Sequence, residues 1–535
     1  MKKGFVSLVF HSHLPYCRQA GVWPFGEEWV FEAMAETYVP LLALLCRLRE
    51  EKVGVKVALG FTPVLLEQLQ DPYMQTRFLE YLEARMEAAR QDVVRFAAAE
   101  PKLAALAEGY LGFYGQVARD YGDLQRDLVG VLRRLQEEGV IELLAGAATH
   151  AYLPLLEVES SLQAQLAVGQ EAYRHYFHTS PRGIWLPECG YRPGLERYLE
   201  ALGIKYFLVD GHAIRGGYVD AVYHAPGPTK STRVASKGRT TLQGYYVGQS
   251  QVAVLGRDQL TGLQVWSEDW GYPTDGAYRE FHKRDQTSGF HYWRITSPLV
   301  DLEGKDIYDP DSAALRVKEQ AEHFVQSIKD RFTGGVPAGS IILAPYDLEL
   351  FGHWWREGIS WLEGVFRGLA AAEEVQMTTP GEYLAAHPPT EAINLPECSW
   401  GQGGRHYIWM NPATEWMWPQ VHEAARRLEK AAARGWSSPL ARRVLAQAGR
   451  EVLLMQSSDW PFLISTQKAE DYASRRFLEH LSRLERLLDG LEGQDESDSF
   501  LAFLAEVEER DKVFSFLDPK IFAAAAALSS GIGGA

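Results

Sequence analysis

Two acidic residues stand where short apolar runs end: Glu188 closes GIWLPE and Asp347 closes SIILAPYD. Trp185 and Tyr191 flank the first, and Tyr346, Trp354 and Trp355 flank the second. The stretch after Glu188, RPGLERYLEALG, has an early proline, leucines at helical spacing and a closing Gly203. Both carboxylates therefore sit at the ends of strands, the end at which barrel and doubly wound α/β folds build their sites. Two such groups among aromatics suit cleavage of a glycosidic bond. One attacks or stabilises the sugar cation, and the other delivers a proton to the leaving oxygen. A plainer reading stands beside this one: Glu188 caps the helix after it or pairs with Arg192, as first-turn carboxylates often do. Glu349 shares the face of Asp347 if the chain stays extended.

Histidines gather at similar positions. The first run ends HSHLPY, and alternation along a strand puts His11 and His13 on one face. His150 closes IELLAGAATH, and His212 follows Asp210 at the end of IKYFLVD. Such histidines can bind a metal, contact a ligand or fill polar core. No third metal ligand lies in sequence reach of His11 and His13, so no metal is assigned; a metal-dependent polysaccharide deacetylase, which also uses histidines and aspartate, is the alternative reading.

Seven runs must carry these groups: FVSLVFHSH, VKVALGF, VIELLAGAATH, GIWLPE, IKYFLVD, GLQVWSED and SIILAPYD. Helical patterns such as TPVLLEQLQ and 312–328 alternate with them, which predicts an α/β fold with a mostly parallel sheet, closed as a seven-stranded (β/α) barrel. The barrel is expected over 1–390, with a helical insertion at about 72–138 and a long loop at about 216–244. A helical C-terminal domain is expected over 391–525 and a frayed tail over 526–535.

Composition narrows the ligand. The chain has 535 residues and a net charge of −16, from 54 basic and 70 acidic side chains, which disfavours nucleic acid. Aromatics make up 12%, with fifteen tryptophans, many in loop-like stretches such as VWPFGEEW and IWMNPATEWMWP. Such rings are platforms for the C–H faces of sugars, so carbohydrate leads. The four cysteines, Cys17, Cys46, Cys189 and Cys398, form no CxxC pair. The apolar start is too short for a signal peptide and no segment is expected to span a membrane, so a cytoplasmic protein is expected.

HSHLPY, ATHAYLPLL, WLPECGY and APYDLELFGHWWREG resemble successive signature regions of glycoside hydrolase family 57. QVWSEDWGYPTDGAYREFH and MQSSDWPFLI draw the resemblance toward the branching enzymes within it, over its amylases and 4-α-glucanotransferases. It runs from about residue 4 to about residue 520. The resemblance implies a retaining mechanism on an α-1,4-glucan such as amylose or a glycogen-like chain. Cofactor, metal and protein partner are not implied. Glu188 then matches the nucleophile and Asp347 the general acid/base. His11, His13 and His150 match sugar contacts near the cleavage point. Trp266, Trp400 and Trp409 match groove aromatics, and Trp354 joins them beside Asp347. Asp459 and Trp460 match the motif of the helical C-terminal domain. The family's flexible loop carries a tyrosine that keeps water off the intermediate. Here that loop departs from the usual sequence, and Tyr245 or Tyr246 is the counterpart.

Overall fold

The structure, a computed structural model, describes residues 4–219, 224–227 and 231–523. The first strand, β1 (Gly4–Ser12), is buried along almost its whole length. Its run of Val, Leu and Phe suits a strand covered on both faces. Alternation sorts its side chains. Val9 joins an inner cluster with Ala58, Leu144, Trp185, Leu208 and Leu343. Leu8 and Phe10 point the other way, into the larger cluster that holds the surrounding helices. His11 continues the inner set, which aims it at the site rather than at the helix layer.

Further strands are β2 (Val57–Phe61), β3 (Ile141–Leu143), β4 (Gly183–Ile184), β5 (Tyr206–Val209), β6 (Tyr245–Val247), β7 (Ala253–Gly256), β8 (Ile341–Asp347), β9 (Val375–Met377) and β10 (Ala392–Ile393). One sheet has the order β3-β2-β1-β8, with β9 also pairing β1; the other has the order β10-β6-β7-β5-β4. All pairings are parallel except β6 with β7. A parallel bridge joins Ala145, just past β3, to Ile184 of β4. The amide of Asp258, just past β7, donates to Leu343 of β8 at 2.8 Å.

Six of the seven expected runs contain strands. GLQVWSED does not: it lies largely in a helix, Gln259–Trp266, whose first turn is capped by Asp258. The Asp258 carboxylate accepts from the Thr261 amide at 3.0 Å, and this local cap outweighs the β preference of Val and Trp. The strand that stands in its place is β7, in QVAVLGRD. The expected helical insertion contains helices Pro72–Phe96, Pro101–Asp123 and Leu128–Glu137. Asp71 caps the first of these, with Pro72 at its opening position.

One helical stretch meets the length and composition of a membrane span, yet packs as core. Residues Glu27–Glu50 form it, and most of that stretch is buried inside the protein. Beyond β10, helices run over Met417–Ala432, Pro439–Met455, Asp459–Ser465, Glu470–Glu492 and Asp498–Arg510. The expected frayed tail lies outside the described residues. So do 220–223 and 228–230 of the long loop. Its described part is tied to the segment around Gly403: Thr232 donates to the Gly403 carbonyl at 3.0 Å, and Tyr407 donates to the Pro226 carbonyl at 3.1 Å.

Candidate active site

Glu188 occupies a tight turn directly after β4. Its φ of 62° lies in the left-handed region, and Cys189 comes next at 50°. Two consecutive non-glycine residues there carry strain that the surroundings must hold. A strap that follows β10 holds them. Tyr191 and Cys398 exchange backbone hydrogen bonds at 2.8 and 3.0 Å, and the Trp400 amide donates to the Glu188 carbonyl at 3.1 Å. The Trp400 indole N–H then donates to Glu188 Oε2 at 2.7 Å. Burial pushes the Glu188 carboxyl up to about 8; the Trp400 bond opposes the shift, and the negative charges of Asp347 and Asp459 add to it.

The histidines form one stack. His11 lies flat on Trp185, with ring centres 4.6 Å apart and planes 6° apart. Its Nε2 meets His150 Nε2 at 3.0 Å, so one of the pair donates and the other accepts. His13 stacks on His150 at 3.9 Å. Burial first, and then neighbouring histidine, hold His11 and His150 well below the ordinary histidine range, so both are neutral. His13 bonds Thr62 through Nδ1 at 3.0 Å and Asp459 through Nε2 at 2.9 Å. His150 bonds Ser458 through Nδ1 at 2.8 Å. The C-terminal helices therefore set the orientation of two histidines presented by the strand layer.

Asp347 ends β8 in register with His11 of β1. His11 in turn lies on Trp185, three residues before Glu188, so register and stacking bring the two carboxylates to neighbouring strand ends. Glu349 is turned away from the chain's extended course by a short 3₁₀ turn, Leu348–Leu350. It is buried and accepts a hydrogen bond from Tyr38. Burial pushes its carboxyl up to about 8 as well. Tyr38 closes a π-helical turn, Met34–Tyr38, whose one acidic residue, Glu36, meets His353 at 3.3 Å. Such turns recur where a helix must aim side chains at a site.

The other expected residues divide. Trp400 is brought to Glu188. Trp354 is 42% exposed and stacks on Phe281 at 4.5 Å, with Lys468 Nζ 5.1 Å from its ring centre. Trp266 is half-buried at the end of its helix. Trp409 corrects the expectation of a groove-lining ring: it is fully buried against Tyr152, 4.0 Å away and nearly parallel, so it backs a wall and offers no free face. Tyr245 and Tyr246 also differ from expectation. Tyr245 is buried, with its hydroxyl donating to the Thr240 carbonyl at 3.1 Å. Tyr246 opposes Ala253, at the start of β7, and packs with Phe5 and Leu384 against the inner cluster. The strand pairing of β6 claims both rings.

His212 is bound to Asp210 at 2.6 Å, and Asp210 also meets Arg257 at 2.5 Å. Against opposing burial, Arg257 and His212 hold the Asp210 carboxyl well below its ordinary range. Trp460 is buried and donates to the Leu454 carbonyl at 2.9 Å, a packing role. Sequence reasoning did not pick out Thr62, Ser458, Tyr38 or Arg257; nothing local to those residues signals partners so far along the chain. Among the described residues, one trio has metal-ligand types and spacing, Glu451, His480 and Asp511. Arg483 bonds Asp511 at 2.9 Å and Arg476 bonds His480 at 3.1 Å, so the trio is an ion network of the C-terminal helices.

The sequence model of glycosyl hydrolase family 57 matches residues 7–396. A second model, of the C-terminal region of 1,4-α-glucan branching enzymes, matches residues 420–522. A 1,4-α-glucan branching enzyme of Thermococcus kodakarensis is 41% identical, over 96% of this chain and 77% of that one. The crystal structure of a family 57 branching enzyme from the same organism superposes with a TM-score of 0.90 at 40% identity, covering 98% of this chain and 97% of that chain. An α-amylase of Thermotoga maritima superposes with a TM-score of 0.83 at 28% identity, covering 98% and 99%.

Proposed function

The chain belongs to glycosyl hydrolase family 57, and from that premise we propose how its site works as a 1,4-α-glucan branching enzyme. It cuts an α-1,4 bond and passes the released segment to a 6-hydroxyl of a glucan chain. The observation that carries the chemistry is the pair of strand-end carboxylates: Glu188 beneath the Trp400 indole, and Asp347 in register with His11, which lies on Trp185. Glu188 attacks the anomeric carbon while Asp347 protonates the departing oxygen. Asp347 then takes the proton from the incoming 6-hydroxyl as that oxygen displaces Glu188. Two displacements retain the α configuration. The Trp400 N–H favours the ionised form of Glu188, the form that attacks. Neutral His11 and His150 suit hydrogen bonding to sugar hydroxyls better than charge pairing.

Burial, which pushes the Glu188 carboxyl up and favours its protonated form, supports a second reading, in which it donates the proton and Asp347 attacks. The Trp400 bond weighs against that exchange of roles, because an N–H donor opposes protonation of the oxygen it binds.

We read β1, β2, β3, β4, β5, β7 and β8 as one closed seven-stranded ring. The bridge from Ala145 to Ile184 and the 2.8 Å bond from Asp258 to Leu343 support closure. The expected helical domain of 391–525 is read as beginning only at Met417, since 392–393 pair with β6, and its Ser458 and Asp459 complete the site. Transfer rather than hydrolysis requires that water be kept from the glycosyl–enzyme. The loop at 216–244 is the candidate cover, since its described part is tied to the segment that carries Trp400. A cytoplasmic location fits four free cysteines, three of them buried.

Linkage analysis of amylose after incubation with the enzyme tests this reading. New α-1,6 branch points are expected to outnumber newly released reducing ends. Reducing ends without branches would make the protein an amylase, and longer or shorter linear chains alone would make it a 4-α-glucanotransferase.

A further inference from the structure

An open cavity of about 520 Å³ lies between the 270–275 turn and the helix Pro310–Thr333, and neither carboxylate, Trp400 nor any of the stacked histidines lines it. That volume is in the range of pockets that take a small molecule or a short length of polymer. Its rim is Trp270, 55% exposed. Among the described residues no aromatic ring or cation stacks on Trp270, so its indole face is open. The exposure runs against the cost of leaving so large an apolar ring in water, and a ring with one open face beside a polar cavity suits an amphipathic ligand.

The floor is already fixed. Asp275 Oδ2 accepts from Arg316 Nε at 3.0 Å, Arg316 Nη2 at 2.8 Å and Gln320 Nε2 at 2.9 Å. The Tyr278 hydroxyl holds Gln320 from beneath at 2.7 Å. Tyr272 is buried, and its hydroxyl meets His323 Nδ1 at 2.7 Å. Planar donors and acceptors locked in this way before a ligand arrives lose little entropy on binding. Asp275 and Glu319 both pair with Arg316, so the three side chains leave one net negative charge at the rim. A phosphate chain or a strongly acidic ligand therefore finds no net attraction here. A neutral ligand with a C–H face for the indole and hydroxyls for the planar groups does. A glucan chain has both.

We propose that this cavity is a second glucan-binding site, which holds an α-1,4-glucan chain while chemistry proceeds at Glu188. It rests on the reading of the enzyme as glucan-acting. A polymer held at two points gains from the second contact by effective concentration, so the contribution grows with chain length. A maltooligosaccharide too short to reach both points gains nothing from it.

Electrophoresis of the full-length enzyme through gels containing glycogen, with Trp270→Ala beside the wild type, tests the proposal. The variant is expected to be retarded less, with an apparent dissociation constant roughly 3- to 10-fold weaker, the value of one lost aromatic stack. Its kcat/KM on long amylose should also fall relative to that on a short maltooligosaccharide. Wild-type retardation in Trp270→Ala, in an enzyme that makes α-1,6 branches, would overturn the second site alone. A wild-type enzyme that is not retarded by glycogen and forms no branches would overturn the glucan reading itself.

Discussion

The indole N–H of Trp400 donates to Glu188 Oε2 at 2.7 Å, across 212 residues of chain. The bond joins the turn after β4 to the strap beyond β10. It also opposes the burial that drives the Glu188 carboxyl upward. Geometry and acidity are thus set by the same contact.

Trp400→Phe should separate them. Phenylalanine keeps a ring in the buried position but removes a donor to a charged group, a contact worth about 1.5–3 kcal/mol. The Glu188 carboxyl should rise further, by roughly 1–2 pH units. The acid limb of the kcat/KM profile should move to higher pH by a similar amount, and activity at pH 7 should fall about tenfold or more. A profile that only scales down, without moving, would mean that the bond does not govern the ionisation.

Glu188→Gln should make the protein more stable, and the gain should depend on pH. The folded protein holds this carboxyl at about 8 against an ordinary 4.5. Its protonated form is therefore favoured by folding, and stability from this group is complete below about 4.5 and lost as pH rises toward 8. Glutamine avoids that loss. Thermal unfolding of the two proteins should coincide near pH 4 and diverge up to pH 8, by an amount on the order of a few kcal/mol. Equal differences at both pH values would contradict the buried-carboxylate account.

Asp459 bridges the C-terminal helices to His13 at 2.9 Å. Asp459→Ala should cost about 1–3 kcal/mol of stability, since it leaves the partly buried His13 nitrogen without its acceptor. It should also lower kcat/KM, because His13 stacks on His150, which bonds His11. Asp459→Asn keeps an acceptor oxygen and should lose less on both counts. Calorimetry and amylose-based kinetics on the two variants check this ordering.

The strand ends were legible because alternation is local. Val9, His11 and His13 share a parity, and the structure turns the first of these into the inner cluster and the other two into the histidine stack. Glu188 and Asp347 were legible for the same reason: each closes an apolar run. GLQVWSED misled because Val and Trp favour strands, whereas the cap at Asp258 fixes a helix. The long-range contacts were not legible. Nothing around Trp400 says that its N–H reaches Glu188, and nothing around Ser458 says that it orients His150. Tyr245 and Tyr246 illustrate the converse: an expected loop contact yields to the pairing of β6 with β7, which buries one ring and packs the other beside the inner cluster.

The assignment of Glu188 as nucleophile is tested most directly by trapping the intermediate. A 5-fluoro-α-glucosyl fluoride slows both displacements, while its good leaving group lets the first proceed, so the glycosyl–enzyme accumulates. Peptide mapping by mass spectrometry of the labelled wild-type enzyme should place the sugar on the peptide that contains Glu188. A label on Asp347 would exchange the two roles, and release of fluoride with no labelled peptide would contradict covalent catalysis at this site.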